Sequence, residues 1–272
     1  MGSLYVVATP IGNLEDMSLR ALRVLGEVGL IAAEDTRATK RLLTRFNIAT
    51  PVTSYFEHNK LTKLDYVLAA TAAGDVALVS EAGMPGISDP GYELVAAAIA
   101  RGIAVVPVPG PSAAITALAV SGLPTDQFTY LGFLPRRPAE RRSMLAGVAA
   151  EPRTLVAFEA PHRLLASLAD IAGTLGNRRL AAARELTKLH EEVVRGTVAE
   201  VLAHFQAVEP RGEFTLVVEG RPREQETATP AEASRRLAEL KRAGRKGREA
   251  VAEVSAETGL PRREVYRLWL EL

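Results

Sequence analysis

The 272-residue chain contains no cysteine. That excludes disulfides, thiolate metal sites and thiol nucleophiles together. Its four histidines form no H-E-x-x-H pattern, so no metal is expected. No run reaches about 18 consecutive apolar residues, the length a membrane-spanning helix needs. The apolar start Leu4–Ala8 is too short for a signal peptide, and a cytoplasmic location is expected. Neither G-x-G-x-x-G nor G-x-x-x-x-G-K-[ST] occurs, which removes the standard dinucleotide and nucleotide-phosphate readings. Net charge is only +1, so any attraction to a polyanion must come from local patches. What remains is an ordinary globular composition, 47% hydrophobic and 24% charged, long enough for one large domain or two ordinary ones.

The stretch with the strongest character is Ser80–Gly91, SEAGMPGISDPG. It follows an apolar, strand-like run at 75–79 and precedes a helical pattern beginning near Tyr92. A strand, a Gly/Pro-rich turn and a helix together present backbone N–H groups to a ligand. Glycines 83, 86 and 91 admit close approach of the main chain, and prolines 85 and 90 stiffen the turn.

Around this loop the chain alternates strand and helix patterns. Apolar runs at 4–9, 30–33, 52–55, 75–79 and 103–108 predict strands, with amphipathic helices between them. This rhythm predicts a mostly parallel sheet covered on both faces, in a domain spanning 1–115. A second α/β domain is expected over 116–220, with strand patterns at 128–133, 154–158, 180–183, 193–195 and 214–218 forming a mixed sheet. The arginine-rich segment 134–142 within it reads as a loop.

Residues 221–230 read as a polar linker. Beyond it, 231–272 carries 10 Lys/Arg against 7 Glu, and its three helical patterns are broken at Gly244–Gly247 and Gly259–Pro261. That layout is helix-turn-helix-like, with Arg262, Arg263 and Arg267 expected on an outward face.

Several motifs in one order carry a family likeness: LYVVATPIGNL at 4–14, IAAEDTR at 31–37, the central loop, and VPGPSA at 108–113. LGFLPR at 131–136, PHR at 161–163 and ARELTKLHEE at 183–192 extend it. Together they resemble the bacterial small-subunit ribosomal RNA 2′-O-ribose cytidine methyltransferases of the tetrapyrrole-methylase superfamily. The resemblance implies two α/β domains, S-adenosylmethionine in the cleft between them, and a homodimer acting on small-subunit rRNA or the assembled subunit. By position it implies cofactor contacts from Pro10, Gly83, Met84, Pro85, Ile87, Ser112, Ala113, Phe158, Glu159 and Leu186. The chain departs from the family pattern at Glu81 (usually Asp), Met84 (usually Thr), Ala160 (usually Ser) and Ala38 (usually His). A catalytic hydroxyl at 84 or 160, or a histidine at 38, is therefore not available.

Ribose methylation needs a proton acceptor for a very weakly acidic hydroxyl. Glu159 and Asp35 are the leading candidates, with Glu185 and His162 behind them, and each carboxylate has an arginine neighbour with which it can simply pair. RNA contact calls for cations aimed at phosphates. Arg37, Arg136, Arg137, Arg141, Arg142, Arg163, Arg184 and Lys188, with His162, are the expected RNA-facing set. Two other readings stay open: a tetrapyrrole C-methylase, which leaves the helical extension unexplained, and a non-catalytic nucleic-acid-binding protein, which leaves the central loop idle.

Overall fold

A computed structural model describes residues 2–222 and 229–272. The chain forms two compact units, one ending at Arg221 and the other spanning Pro222–Leu272. Most of the expected linker, residues 223–228, lies outside the described residues.

The first unit begins with β1 (Leu4–Val7), β2 (Leu30–Ala33), β3 (Val52–Ser54), β4 (Val76–Val79) and β5 (Val105–Val108). These pair in parallel in the order β3-β2-β4-β1-β5. All four residues of β4 are buried, as an unbroken Val/Ala/Leu run must be when helices cover both faces of a sheet. The covering helices are α1 (Leu19–Glu27), α2 (Thr36–Arg45), α3 (Lys60–Ala70) and α4 (Tyr92–Ala100). Leu25, Leu42 and Leu43 pack on one face and Val67, Leu68 and Leu94 on the other. Ser18 caps α1 by accepting from the Ala21 N–H, and Asp35 caps α2.

Helix α5 (Ala113–Val120) follows, then β6 (Phe128–Phe133), β7 (Thr154–Glu159), β8 (Arg179–Arg184), β9 (Glu192–Thr197) and β10 (Phe214–Val218). Their order is β6-β7-β10-β8-β9, parallel for β6–β7 and antiparallel elsewhere, so the sheet is mixed as expected. Ala114, Ala117 and Leu118 of α5 pack with Val156, Ala181, Ala183 and Val217 of this second sheet. The domain edge expected at 115/116 thus falls inside a helix that belongs with the second sheet.

The opposite face is covered by α6 (Pro138–Gly147), α7 (Leu164–Leu175) and α8 (Val198–Ala207). Helix α6 corrects the sequence reading, which took 134–142 as a loop. Pro138 opens it, where a fixed φ and a missing N–H cost nothing, and Arg141 and Leu145, four residues apart, both turn inward. The density of arginine hid an amphipathic helix, because one of those arginines is a buried residue.

The second unit contains α9 (Pro230–Arg242), α10 (Gly247–Thr258) and α11 (Arg262–Leu270). Thr229 and Glu232 form a reciprocal capping box at the start of α9, and Gly259 ends α10 in the left-handed conformation. Leu237, Leu240, Val254, Val265 and Leu268 make its core, against which Trp269 packs. Arg262, Arg263 and Arg267 are exposed, as the helical pattern predicts. Among the described residues, no helix is long and apolar enough to cross a membrane.

Candidate active site

Strands β1 and β4 are neighbours at the centre of the parallel sheet, so their carboxyl ends meet. There the Thr9 N–H donates to the Gly83 carbonyl (2.9 Å) and the Gly83 N–H to the Thr9 carbonyl (3.0 Å). This bridge pins the central loop beside buried Pro10. Gly83 has φ +82, a conformation that a side chain strains. Gly91 is tighter, since a β-carbon there would come within 2.9 Å of Leu78 Cδ2.

The second sheet supplies the facing wall. Leu186 is buried between Glu185 (φ 48) and Thr187 (φ 68). The Asn13 N–H donates to Thr187 Oγ1 (3.0 Å), and Ser88, itself at φ 62, shares a 2.7 Å hydrogen bond with the Tyr130 hydroxyl. Each of these bonds joins the two sheets. Among the described residues, three of the four non-glycine residues with left-handed backbone (Ser88, Glu185 and Thr187) therefore lie along this cleft. Strain of that kind, worst for a β-branched residue, persists where the surroundings enforce it and marks functional sites.

The expected cofactor residues fit a sulfonium-bearing nucleoside. Pro10, Gly83, Pro85 and Leu186 are buried, while Met84, Ser112, Ala113 and Phe158 are half-buried. They offer apolar surface and main-chain donors. The Ser112 side chain makes no capping bond, which leaves the first N–H groups of α5 available to an anionic group. Ile87 is 52% exposed, the most open of the set.

The candidate bases fare differently. The Glu159 side chain is 0% exposed. Its Oε1 lies 2.5 Å from an Arg163 nitrogen and accepts from the Ala160 N–H (2.7 Å), while Ser167 Oγ donates to Oε2. A carboxylate sealed this way cannot reach a substrate proton, so Glu159 orders Arg163 and does not serve as the base. Asp35 accepts from the Arg37 N–H (2.6 Å) and the Ala38 N–H (3.0 Å), and those bonds hold its carboxyl below the usual range. It is a helix cap and a weak proton acceptor. Burial would raise Glu185, but the Lys188 ammonium and the Glu213 N–H outweigh burial and hold it low.

Asp89, at the end of the central loop, was not singled out from the sequence. Burial pushes its carboxyl up to about 7, with the nearby charges of Glu34 and Glu81 adding to the rise and a hydrogen bond from Ser80 opposing it. Burial also raises Glu34, whose Oε2 accepts from the Glu81 N–H (3.1 Å). The sequence signal was available, since the SDPG turn places a carboxylate beside the cleft. Its altered proton affinity depends first on burial and then on the charge of Glu34, which arrives from the end of β2. Among the described residues, no group of three or more His, Asp or Glu side chains could hold a metal ion.

The structure divides the expected RNA-facing cations into two groups. Arg141 is 3% exposed and paired with Asp170 (2.6 Å), so it is a core ion pair and unavailable to phosphate. Arg184 lies 2.7 Å from Glu192, and Lys188 is shared between Glu185 and Glu213 at 3.0 Å each. Arg142 is half-exposed beside the same Asp170, and Arg137 is 82% exposed and paired with Glu140. Arg37, Arg136 and His162 are exposed. Arg136, His162 and Arg163 line one recess of about 550 Å³ with Phe133, Leu134 and Ala160.

A strained cleft between a parallel and a mixed sheet, floored by a Gly/Pro loop, defines a two-sheet α/β protein whose candidate site lies between its sheets. Residues 3–202 match the family of tetrapyrrole (corrin/porphyrin) methylases, and the chain belongs to that family. It is 49% identical over 275 residues to the "Ribosomal RNA small subunit methyltransferase I" of Synechocystis sp., covering 100% of this chain and 99% of the relative. It is also 49% identical to the protein of the same name from Thermotoga maritima, whose whole length is matched by 81% of this chain. Among solved structures, the uroporphyrin-III C-methyl transferase from Thermus thermophilus, complexed with S-adenyl homocysteine, superposes with a TM-score of 0.55 at 21% identity. That alignment covers 80% of this chain and 97% of the other, and it establishes the likeness of fold.

Proposed function

We propose that this chain is an S-adenosylmethionine-dependent methyltransferase of small-subunit ribosomal RNA, and that the group it methylates is the 2′-hydroxyl of a cytidine. The observation that carries the reading is similarity at 49% identity over essentially the whole chain to a relative named for that RNA, against 21% for the uroporphyrin enzyme. The substrate is naked rRNA or the assembled small subunit, and the working form is a cytoplasmic homodimer. The two α/β domains divide just before α5, which packs with the second sheet, and the extension at 231–272 supplies further basic surface.

When bound, the cofactor supplies a methyl group on a sulfonium, already electrophilic enough that positioning can provide several kcal/mol of the barrier reduction. Pro10, Gly83, Met84, Pro85 and Ile87 would hold it from the parallel sheet, Ser112 and Ala113 from the start of α5, and Phe158 and Leu186 from the facing wall. The proton acceptor we assign to Asp89. It combines partial access with a proton affinity near neutrality, which Glu159 lacks by burial and Asp35 by its backbone bonds. Arg37, Arg136 and His162 are exposed and open to phosphates, as is Arg137 beside Glu140, with Arg163 held in place by Glu159.

Methylation mapping of small-subunit rRNA from cells with and without this protein tests the reading. One ribose methyl mark should vanish with the protein and return with it. An unchanged map, together with methylation of a tetrapyrrole by the purified protein, would replace the reading with the small-molecule alternative.

A further inference from the structure

The end of β6 carries a feature that cofactor binding does not require. In a regular strand, residues three apart point to opposite faces. Here the pairing of β6 with β7 shifts between Tyr130 and Gly132, and Gly132 takes φ +67. The extra residue brings Tyr130 and Phe133 to the same side. Both rings meet Phe158 edge-on, with centroids 5.5 Å and 5.3 Å away. Phe133 nevertheless stays 57% exposed, so its ring is open to a ligand.

Its surroundings are specific. Phe133 lines the 550 Å³ recess with Leu134 and Ala160 and with three nitrogen-bearing side chains, Arg136, His162 and Arg163. Arg163 is committed to Glu159 and to the Leu134 carbonyl (3.0 Å). Arg136 and His162 make no hydrogen bond or ion pair within the described residues, and both are exposed. An aromatic face beside unengaged cationic and neutral donors is the combination that binds an unstacked base and its phosphate. Phe158, touching Phe133, places the recess next to the cofactor pocket.

Resting on the RNA-methylating function proposed above, we propose that this recess is the subsite for one unstacked ribonucleotide of the RNA substrate. The base lies against Phe133, its phosphate meets Arg136, and His162 donates to the base edge or the ribose. The bulge at Leu131–Gly132 exists to turn Phe133 toward that base.

The probe is a short single-stranded oligoribonucleotide carrying 2-aminopurine, whose fluorescence is quenched on stacking, titrated against the full chain. The wild type should quench it. Phe133→Leu, which keeps apolar bulk but removes the ring, should lose the quench and bind about 10-fold more weakly, and Phe133→Tyr should restore both. Arg136→Ala should reduce the slope of log K against log salt by about one while keeping the quench. Cofactor affinity measured by calorimetry should be the same in all variants, which separates loss of stacking from misfolding. Undiminished quenching and affinity in Phe133→Leu would overturn the subsite even if the wild type methylates rRNA. A wild type that quenches the probe but leaves rRNA unmethylated would instead overturn the function while the subsite stands.

Discussion

Glu159 and Arg163 stand four residues apart, with a carboxylate oxygen 2.5 Å from a guanidinium nitrogen and the acid wholly buried. The pair lies between the end of β7 and the start of α7, where the chain turns from the sheet toward the recess. Breaking a buried pair leaves the surviving charge without compensation, which costs roughly 3–5 kcal/mol. Glu159→Ala should therefore lower the midpoint of urea unfolding markedly. Glu159→Gln should cost less and retain measurable methyl transfer. A Glu159→Gln protein of normal stability with no turnover would restore Glu159 as the base.

The arginines of α6 and the segment before it should separate by burial. Arg141→Ala removes the partner of Asp170 from the core and should destabilise the protein by about 3 kcal/mol, with no change in the salt dependence of RNA binding. Arg137→Ala should leave stability within about 0.5 kcal/mol and lower the salt slope by about one. Urea titrations and filter binding at several salt concentrations check both. A reduced slope in Arg141→Ala would return that residue to the RNA-facing set.

Asp89 makes two pH predictions of opposite sign. Its carboxyl is raised from the ordinary 3.8 to about 7 in the folded chain. Between those values the native state holds a proton that the unfolded chain has released, so this residue's contribution to stability falls as pH rises from about 4 to about 7. Asp89→Asn should flatten that part of the stability profile. As proton acceptor, Asp89 must be ionised, so kcat/KM should rise through about pH 7 in the wild type. That limb should disappear in Asp89→Asn, with cofactor affinity unchanged. A rising limb that survives the substitution assigns the proton to another group.

A protein ending at Arg221 should keep the first compact unit intact. The Thermotoga maritima relative, matched in full by 81% of this chain, shows that a relative of the same name can be shorter. The shortened protein should unfold cooperatively, bind S-adenosylmethionine as the full chain does, and methylate rRNA with a raised KM and near-normal kcat, because basic surface adds sequence-independent attraction. If single-turnover kcat collapses while KM stays put, the extension belongs to the catalytic machinery.

Much of this protein could be read from local pattern. Strand runs such as 76–79, the capped helices and the Gly/Pro loop follow from apolar periodicity, capping chemistry and the backbone freedom of glycine, which act over a few residues. The motifs also identified the family before any distance was known. What folding alone decided is the state of each charged and aromatic side chain. Glu159 ends β7 and Asp89 closes the central loop, yet one carboxylate is sealed by Arg163 and Ser167 while the other is raised toward neutrality by burial beside Glu34 and Glu81. Arg137 and Arg141 are four residues apart, yet one meets solvent and the other Asp170. One extra residue in β6 turned Phe133 to the side of Tyr130. Partners such as Arg163 and Ser167 lie within eight residues of Glu159 and stand in the local sequence, but burial, and partners such as Glu34 for Asp89 and Asp170 for Arg141, come from distant parts of the chain.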